Sequence, residues 1–228
     1  GALLGAPSRR GALEYRLLRL SPEVTASLRR RCRAERCSVQ GALGAATARA
    51  LAPAPPRIMT VVQTRGEVGL GPDAVGLFIG AVELSVLAEA PFWDAARDYK
   101  ARLSSAVDSG AHHVFLDRLR RVAGGATSRE AIANWRAMDR RKSRLFKPRC
   151  GKVLVSNRGV WDLSTPDRRV RSFHWFRRRR EFDSELRLNA VTVDGALSLT
   201  LQSSSLWCSG GRHTEIAERI LRQLESVI

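Results

Sequence analysis

Apolar and polar residues change their spacing several times along this chain, and each change marks an element. Leu13 to Leu20 (Leu-Glu-Tyr-Arg-Leu-Leu-Arg-Leu) roughly alternates, which predicts a strand. Ser21-Pro22-Glu23 is a helix start: a capping hydroxyl, Pro at the first helical position, then an acid at the positive helix end. Val24, Leu28 and Cys32 fall four apart in that helix, with arginines outward, to about Arg36. From Cys37 to Leu51 the residues are small and almost uncharged until Arg49. Ser38 is a good N-cap there, and Val39, Leu43, Ala46 and Ala50 recur at helical spacing. Gly41 and Gly44 each cost a helix roughly 1 kcal/mol relative to Ala, so a compensating contact is expected, such as close packing under a sheet. This bare helix is the expected structural centre, and Pro53, Pro55 and Pro56 stop it.

Beyond the prolines, Arg57 to Thr64 is β-branched and short, a strand. The apolar run Val75 to Leu87 predicts one buried strand or two. Pro91 opens an amphipathic helix with Phe92, Ala96, Tyr99 and Leu103 on one face. Further helices are expected over about Ala111–Val122 and Ser128–Met138, and strands over Lys152–Ser156 and Val170–Phe176. Leu186–Val193 and Ala196–Ser203 form a hairpin turning at Asp194-Gly195, the pair that a two-residue turn favours. A last amphipathic helix runs from about Thr214 through Ile216, Ile220, Leu224 and Val227. The order predicts an α/β class, a mixed β-sheet with flanking helices. Residues 1–12 read as a linker or disordered segment and 13–228 as one domain.

Composition narrows the function more than the fold. The 228 residues are 44% hydrophobic, and no apolar run reaches the ~18 residues that a membrane span requires. Gly1 to Pro7 is too short, and too soon followed by arginines, for a secretory signal; a first residue other than Met hints at a start inside a longer product. Cys32, Cys37, Cys150 and Cys208 form no CxxC pair and have no His at zinc-ligand spacing, so no metal site is expected and the thiols read as reduced, in a cytoplasmic setting. The net charge is +17, and of 39 basic residues only Lys100, Lys142, Lys147 and Lys152 are not arginine. Arg177 to Arg180 and the cluster from Arg136 to Arg149 are either a polyanion site or a solvated face. No aromatic-interleaved nucleic-acid module accompanies them, which ranks nucleic acid behind the other partners.

Five stretches together resemble a known family. Cys37-Ser-Val-Gln-Gly-Ala-Leu43 is similar to a "T-V-x-G-x-L" helix start, and Val75-Gly-Leu-Phe-Ile-Gly-Ala-Val82 to a "G-N/F-x-V/I-G/S" strand. Pro91-Phe92-Trp93 with Ala95-Ala96-Arg97 is similar to "P-F-W-x-L-A-R", and Ser156-Asn157-Arg158-Gly159 to "S-N-L-G". Val191 to Thr200 is similar to "T-x-N-G-x-L-x-L-T". In order and spacing they resemble the C-terminal half of condensation-domain and alcohol-acetyltransferase-like acyltransferases, which have the chloramphenicol-acetyltransferase-like fold. The resemblance implies two subdomains facing each other across a tunnel. It also implies an acyl donor thioester, on coenzyme A or a carrier protein, and an alcohol or amine acceptor. The catalytic HHxxxDG motif belongs to the N-terminal half, its second His acting as general base. The resemblance thus implies an acyltransferase-like chain that is incomplete as an enzyme. Its expected partner is that other subdomain or, through an exposed tunnel wall, a second copy of itself.

His112-His113-Val-Phe-Leu-Asp117 spells most of the motif, but Arg118 replaces its Gly, the position is wrong, and the stretch reads as a surface helix. His113 is retained only as the nominal base. Ser156 and Asn157, at a strand end that lies beside the tunnel in the resembled family, are substrate-channel candidates or simply turn residues. His174, alternating with aromatic neighbours, is a third channel candidate or a sheet histidine, and His213 reads as a capping or surface residue. The alternatives are a non-catalytic binding module of the same fold and an Arg-rich nucleic-acid-binding protein.

Overall fold

Two serine caps set the first half of the architecture. In the computed structural model, which describes residues 12–52, 57–71, 78–114, 152–175, 185–205, 208 and 210–228, strand β1 (Leu13–Leu20) runs into helix α1 (Pro22–Ala34). The Ser21 hydroxyl accepts a hydrogen bond from Val24 N at 3.3 Å, and Pro22 needs no partner for its nitrogen. Helix α2 (Val39–Ala50) starts the same way, Ser38 Oγ accepting from Gly41 N at 3.1 Å. Thr25, rather than Val24, lies beside Leu28 and Cys32 on the buried face of α1. Its hydroxyl accepts from Leu197 N at 2.9 Å and donates to Leu20 O at 3.3 Å, a use of polarity that the four-residue apolar spacing does not reveal.

The sheet adds β2 (Arg57–Gln63), β3 (Ile79–Ser85), β4 (Lys152–Trp161), β5 (Glu185–Val193) and β6 (Ala196–Ser204). The strand order is β1-β6-β5-β4-β2-β3, with β4 parallel to both β2 and β5 and the other pairs antiparallel. Asp194 and Gly195, both at positive φ, make the tight turn of the β5–β6 hairpin. Helices α3 (Phe92–Asp108) and α4 (Gly210–Glu225) flank α2. Leu186, Leu188, Leu197, Leu199, Leu201, Val153 and Val155 pack with the helices into one core.

Helix α2 is buried almost all round, as its bare surface predicts, but α3 is what approaches its glycines. A Cβ on Gly41 would stand 2.7 Å from Ala96 O, and one on Gly44 would stand 2.7 Å from Tyr99 Cε1.

Two element expectations change. Val170–Phe176 forms no strand over its described residues, 170–175; its backbone groups bond to side chains, Val170 N to Ser164 and Trp175 O to Asn189, and not to a neighbouring strand. Helix α4 begins at Gly210, so His213 lies in its first turn, inside the core at 1% exposure, and is neither a cap nor a surface residue. The expected helices over 111–122 and 128–138 lie outside the described residues beyond position 114, as do residues 1–11 and both arginine clusters. Residues 111–113 form a 3-10 turn.

Candidate polar site on the sheet face opposite the helices

Strand alternation gives the two faces of this sheet different chemistry. In β5, Leu186, Leu188 and Ala190 join the core under the helices, which directs Arg187 and Asn189 to the other face. In β6 the leucines at 197, 199 and 201 do the same, leaving Ser198, Thr200 and Gln202 opposite; in β4, Val153 and Val155 leave Ser156 opposite. The register aligns these polar residues across the strands: Ser156 pairs with Asn189, Asn189 with Thr200, and Thr200 with Leu17 of β1. Ser156, Asn189 and Thr200 are all buried.

The segment 169–175 covers part of this row. His174 Nδ1 stands 3.2 Å from Thr200 Oγ1, and Asn189 Nδ2 donates to Trp175 O at 3.3 Å. Arg169 holds the segment's start through paired hydrogen bonds to Asp194 of 3.0 and 2.8 Å. The Trp161 and Phe173 rings meet at a tilt with centroids 5.4 Å apart, and the Arg158 guanidinium lies 3.9 Å over the Trp175 ring. Burial holds the His174 imidazole below its ordinary 6.5; a backbone hydrogen bond at Leu199 opposes the shift and the Arg19 charge adds to it. His174 is therefore a neutral ring at physiological pH, with lone-pair and N–H functions to offer. Asn189 Oδ1, Ser198 Oγ and Trp175 Nε1 are buried without a hydrogen-bond partner among the described residues. Such groups can take up hydrogen bonds from a bound polar molecule.

Ser156 and His174 thus lie on one face, linked through Asn189 and Thr200. Asn157 is separated from them, because neighbouring strand residues point to opposite sides. Its Oδ1 accepts from Gly159 N at 3.0 Å, Gly159 sits at φ 76°, and the β4–β5 register shifts between Asn157 and Val160. Asn157 shapes a bulge. Asn189 and Thr200 were not singled out from the sequence, although alternating polar residues in an otherwise apolar hairpin are a legible sign that its second face has polar work.

His113 lies elsewhere. Its Nε2 is 2.9 Å from Glu67 Oε2, beside His112, whose ring sits where a Cβ on Gly80 would point. Gly80 is on the side of β3 that carries Val82, paired with Thr60, and Thr60 is hydrogen-bonded to Tyr99 of α3. The two histidines therefore belong to the helix side of the sheet, with the sheet between them and Ser156. Asp117 lies outside the described residues.

No protein-family model and no curated protein matches the chain. Solved structures do. The epimerization domain from the third module of tyrocidine synthetase B is similar over 94% of this chain and 47% of its own, with a TM-score of 0.63 at 15% identity. The EpoB NRPS cyclization-docking bidomain from Sorangium cellulosum is similar over 98% of this chain and 43% of its own (TM-score 0.60, 14% identity). For the PapA2 acyl transferase the shares are 96% and 44% (TM-score 0.54, 17% identity). This is the fold of one subdomain of the chloramphenicol-acetyltransferase-like architecture. The chain spans less than half the length of each of those three proteins. Among the described residues no helix is long and apolar enough to cross a membrane.

Proposed function

We propose that this chain is the C-terminal subdomain of an acyltransferase that moves an acyl group from a thioester, on coenzyme A or a carrier protein, to an alcohol or amine. The observation that carries the reading is coverage: nearly the whole chain overlays on just under half of the epimerization domain and of the acyl transferase. In this reading the polar face of the sheet is the wall that this subdomain contributes to a substrate tunnel. Ser156, Asn189 and Thr200 supply hydrogen bonds that hold a substrate carbonyl or hydroxyl in register with the thioester. Neutral His174, positioned by Thr200, orients the acceptor. The general base comes from the other subdomain and not from His113, which faces the helix side. The thioester is a substrate and not a resident cofactor.

The test uses the whole product of the reading frame that contains this chain. Thiol release from acyl-coenzyme A is followed with alcohols and with amines. The reading expects acceptor-dependent release. It also expects kcat/KM to fall about tenfold or more in Ser156→Ala and in His174→Ala, since a lost hydrogen bond of about 1.4 kcal/mol is a factor of ten. Absence of thioester turnover with every donor and acceptor overturns the reading and leaves a binding module. Turnover unchanged in both variants removes the polar face from it.

A further inference from the structure

The β2–β3 loop and the end of α3 meet in a side-chain trio that the acyltransferase reading does not use. Glu67 lies in the 3-10 turn Gly66–Val68, and His112 and His113 lie in the 3-10 turn Ala111–His113. Each carboxylate oxygen of Glu67 takes one imidazole: His112 Nε2 stands 2.8 Å from Oε1 and His113 Nε2 stands 2.9 Å from Oε2. The two rings lie 4.0 Å apart, and one donor atom from each of the three residues falls within 4.8 Å of the others. We propose that Glu67, His112 and His113 form a binding site for one divalent transition-metal ion of the zinc class, which clasps the β2–β3 loop to the end of α3.

Three features carry this. The donor set is two imidazole nitrogens and one carboxylate, a set that suits zinc and its neighbours and disfavours magnesium and calcium, which take oxygen. The donors are close enough to converge: zinc bonds of about 2.0–2.2 Å put neighbouring tetrahedral donors roughly 3.3–3.5 Å apart, and the three donor atoms already lie within 4.8 Å of one another. The third is the way His112 is built in. It is 2% exposed, and its ring and carbonyl fill the space over Gly80, where a Cβ would come within 2.8 Å of each. Its Nδ1 is buried with no partner among the described residues, so an apolar side chain would fill the same place without that loss. A ring held with Nε2 aimed at a carboxylate and at a second imidazole is oriented for coordination. Glu67 and His113 are partly open to solvent, at 37% and 45% side-chain exposure, which leaves an entry path and room for water as a fourth ligand.

Zinc titrated calorimetrically into the metal-free full chain is expected to bind at one equivalent and to raise the melting temperature. Glu67→Gln and His113→Ala alter exposed ligands, and circular dichroism checks that each folds. Either should weaken zinc at least tenfold, because even changes beside a metal's ligands cost about 10–100-fold, and should abolish the thermal shift. Cobalt, used as a spectroscopic probe, should give the visible bands of a nitrogen–oxygen site without the sulfur charge-transfer band of a cysteine site. Absence of saturable binding, equal affinity in both variants, or a sulfur band that persists in them would overturn the proposal.

Discussion

The ring of Tyr99 in α3 closes directly over Gly44 of α2, where a methyl group would stand 2.7 Å from Cε1 and 2.8 Å from Cδ1. Tyr99 cannot retreat easily, because it is fully buried and its hydroxyl is hydrogen-bonded to Thr60 of β2. Gly44→Ala therefore adds a carbon where no space exists, at a cost of about 1–3 kcal/mol, against roughly 1 kcal/mol of helix propensity gained. The variant is expected to be less stable by up to about 2 kcal/mol in urea denaturation. Tyr99→Leu in the same background should recover part of the loss that the methyl causes. An unchanged midpoint in Gly44→Ala would mean that the two helices are not in this contact.

Stability should fall on acidification through two histidines. Burial holds both His213 and His174 below their ordinary 6.5. Just below 6.5 the unfolded chain binds more protons than the folded one, so stability rises with pH there. The contribution is complete above about pH 6.5 and is lost as pH falls toward the folded values. Urea midpoints measured from neutral pH to about pH 5.5 should show this slope. His213→Gln and His174→Gln should each flatten it, whatever their effect at neutral pH, and a slope unchanged in both would remove the histidines as its cause.

Three thiols should resist modification until the chain unfolds. Cys32, Cys37 and Cys208 are free and buried, and burial pushes all three thiols up, Cys32 to about 12. The thiolate is the reactive form, so alkylation near neutral pH should leave these three unlabelled in the native chain and label them in denaturant. Peptide mass spectrometry reads the outcome by position. Fast native labelling of Cys32 would contradict its place between α1 and the core.

The isolated chain should self-associate. Leu17, 54% exposed, lies on edge strand β1, on the face opposite the helices. A large apolar side chain exposed on an edge strand is a template for a second copy. Light scattering at micromolar concentration should show a species above the monomer mass, and Leu17→Lys should shift it toward monomer. A clean monomer in the unaltered chain would count against a subdomain cut from its partner.

Local chemistry wrote much of this fold. The Ser21 and Ser38 caps, the prolines after α2 and Asp194-Gly195 act over a few residues, so the sequence by itself determined where α1 and α2 begin and where the β5–β6 hairpin turns. The five family-like stretches likewise pointed to the acyltransferase-like fold that the solved structures share. Val170–Phe176 shows the limit of such reading: alternation suits a strand, and only the sheet decides whether the backbone is paired. The candidate sites lay beyond that limit. Ser156 and Asn157 are neighbours in sequence yet point to opposite sides, while Ser156, Asn189 and Thr200 become neighbours through strand register. Glu67 reaches His112 across 45 residues. Periodicity fixes which way a side chain points within its own element; which distant side chain it meets depends on strand order and helix packing, and those only the tertiary structure decided.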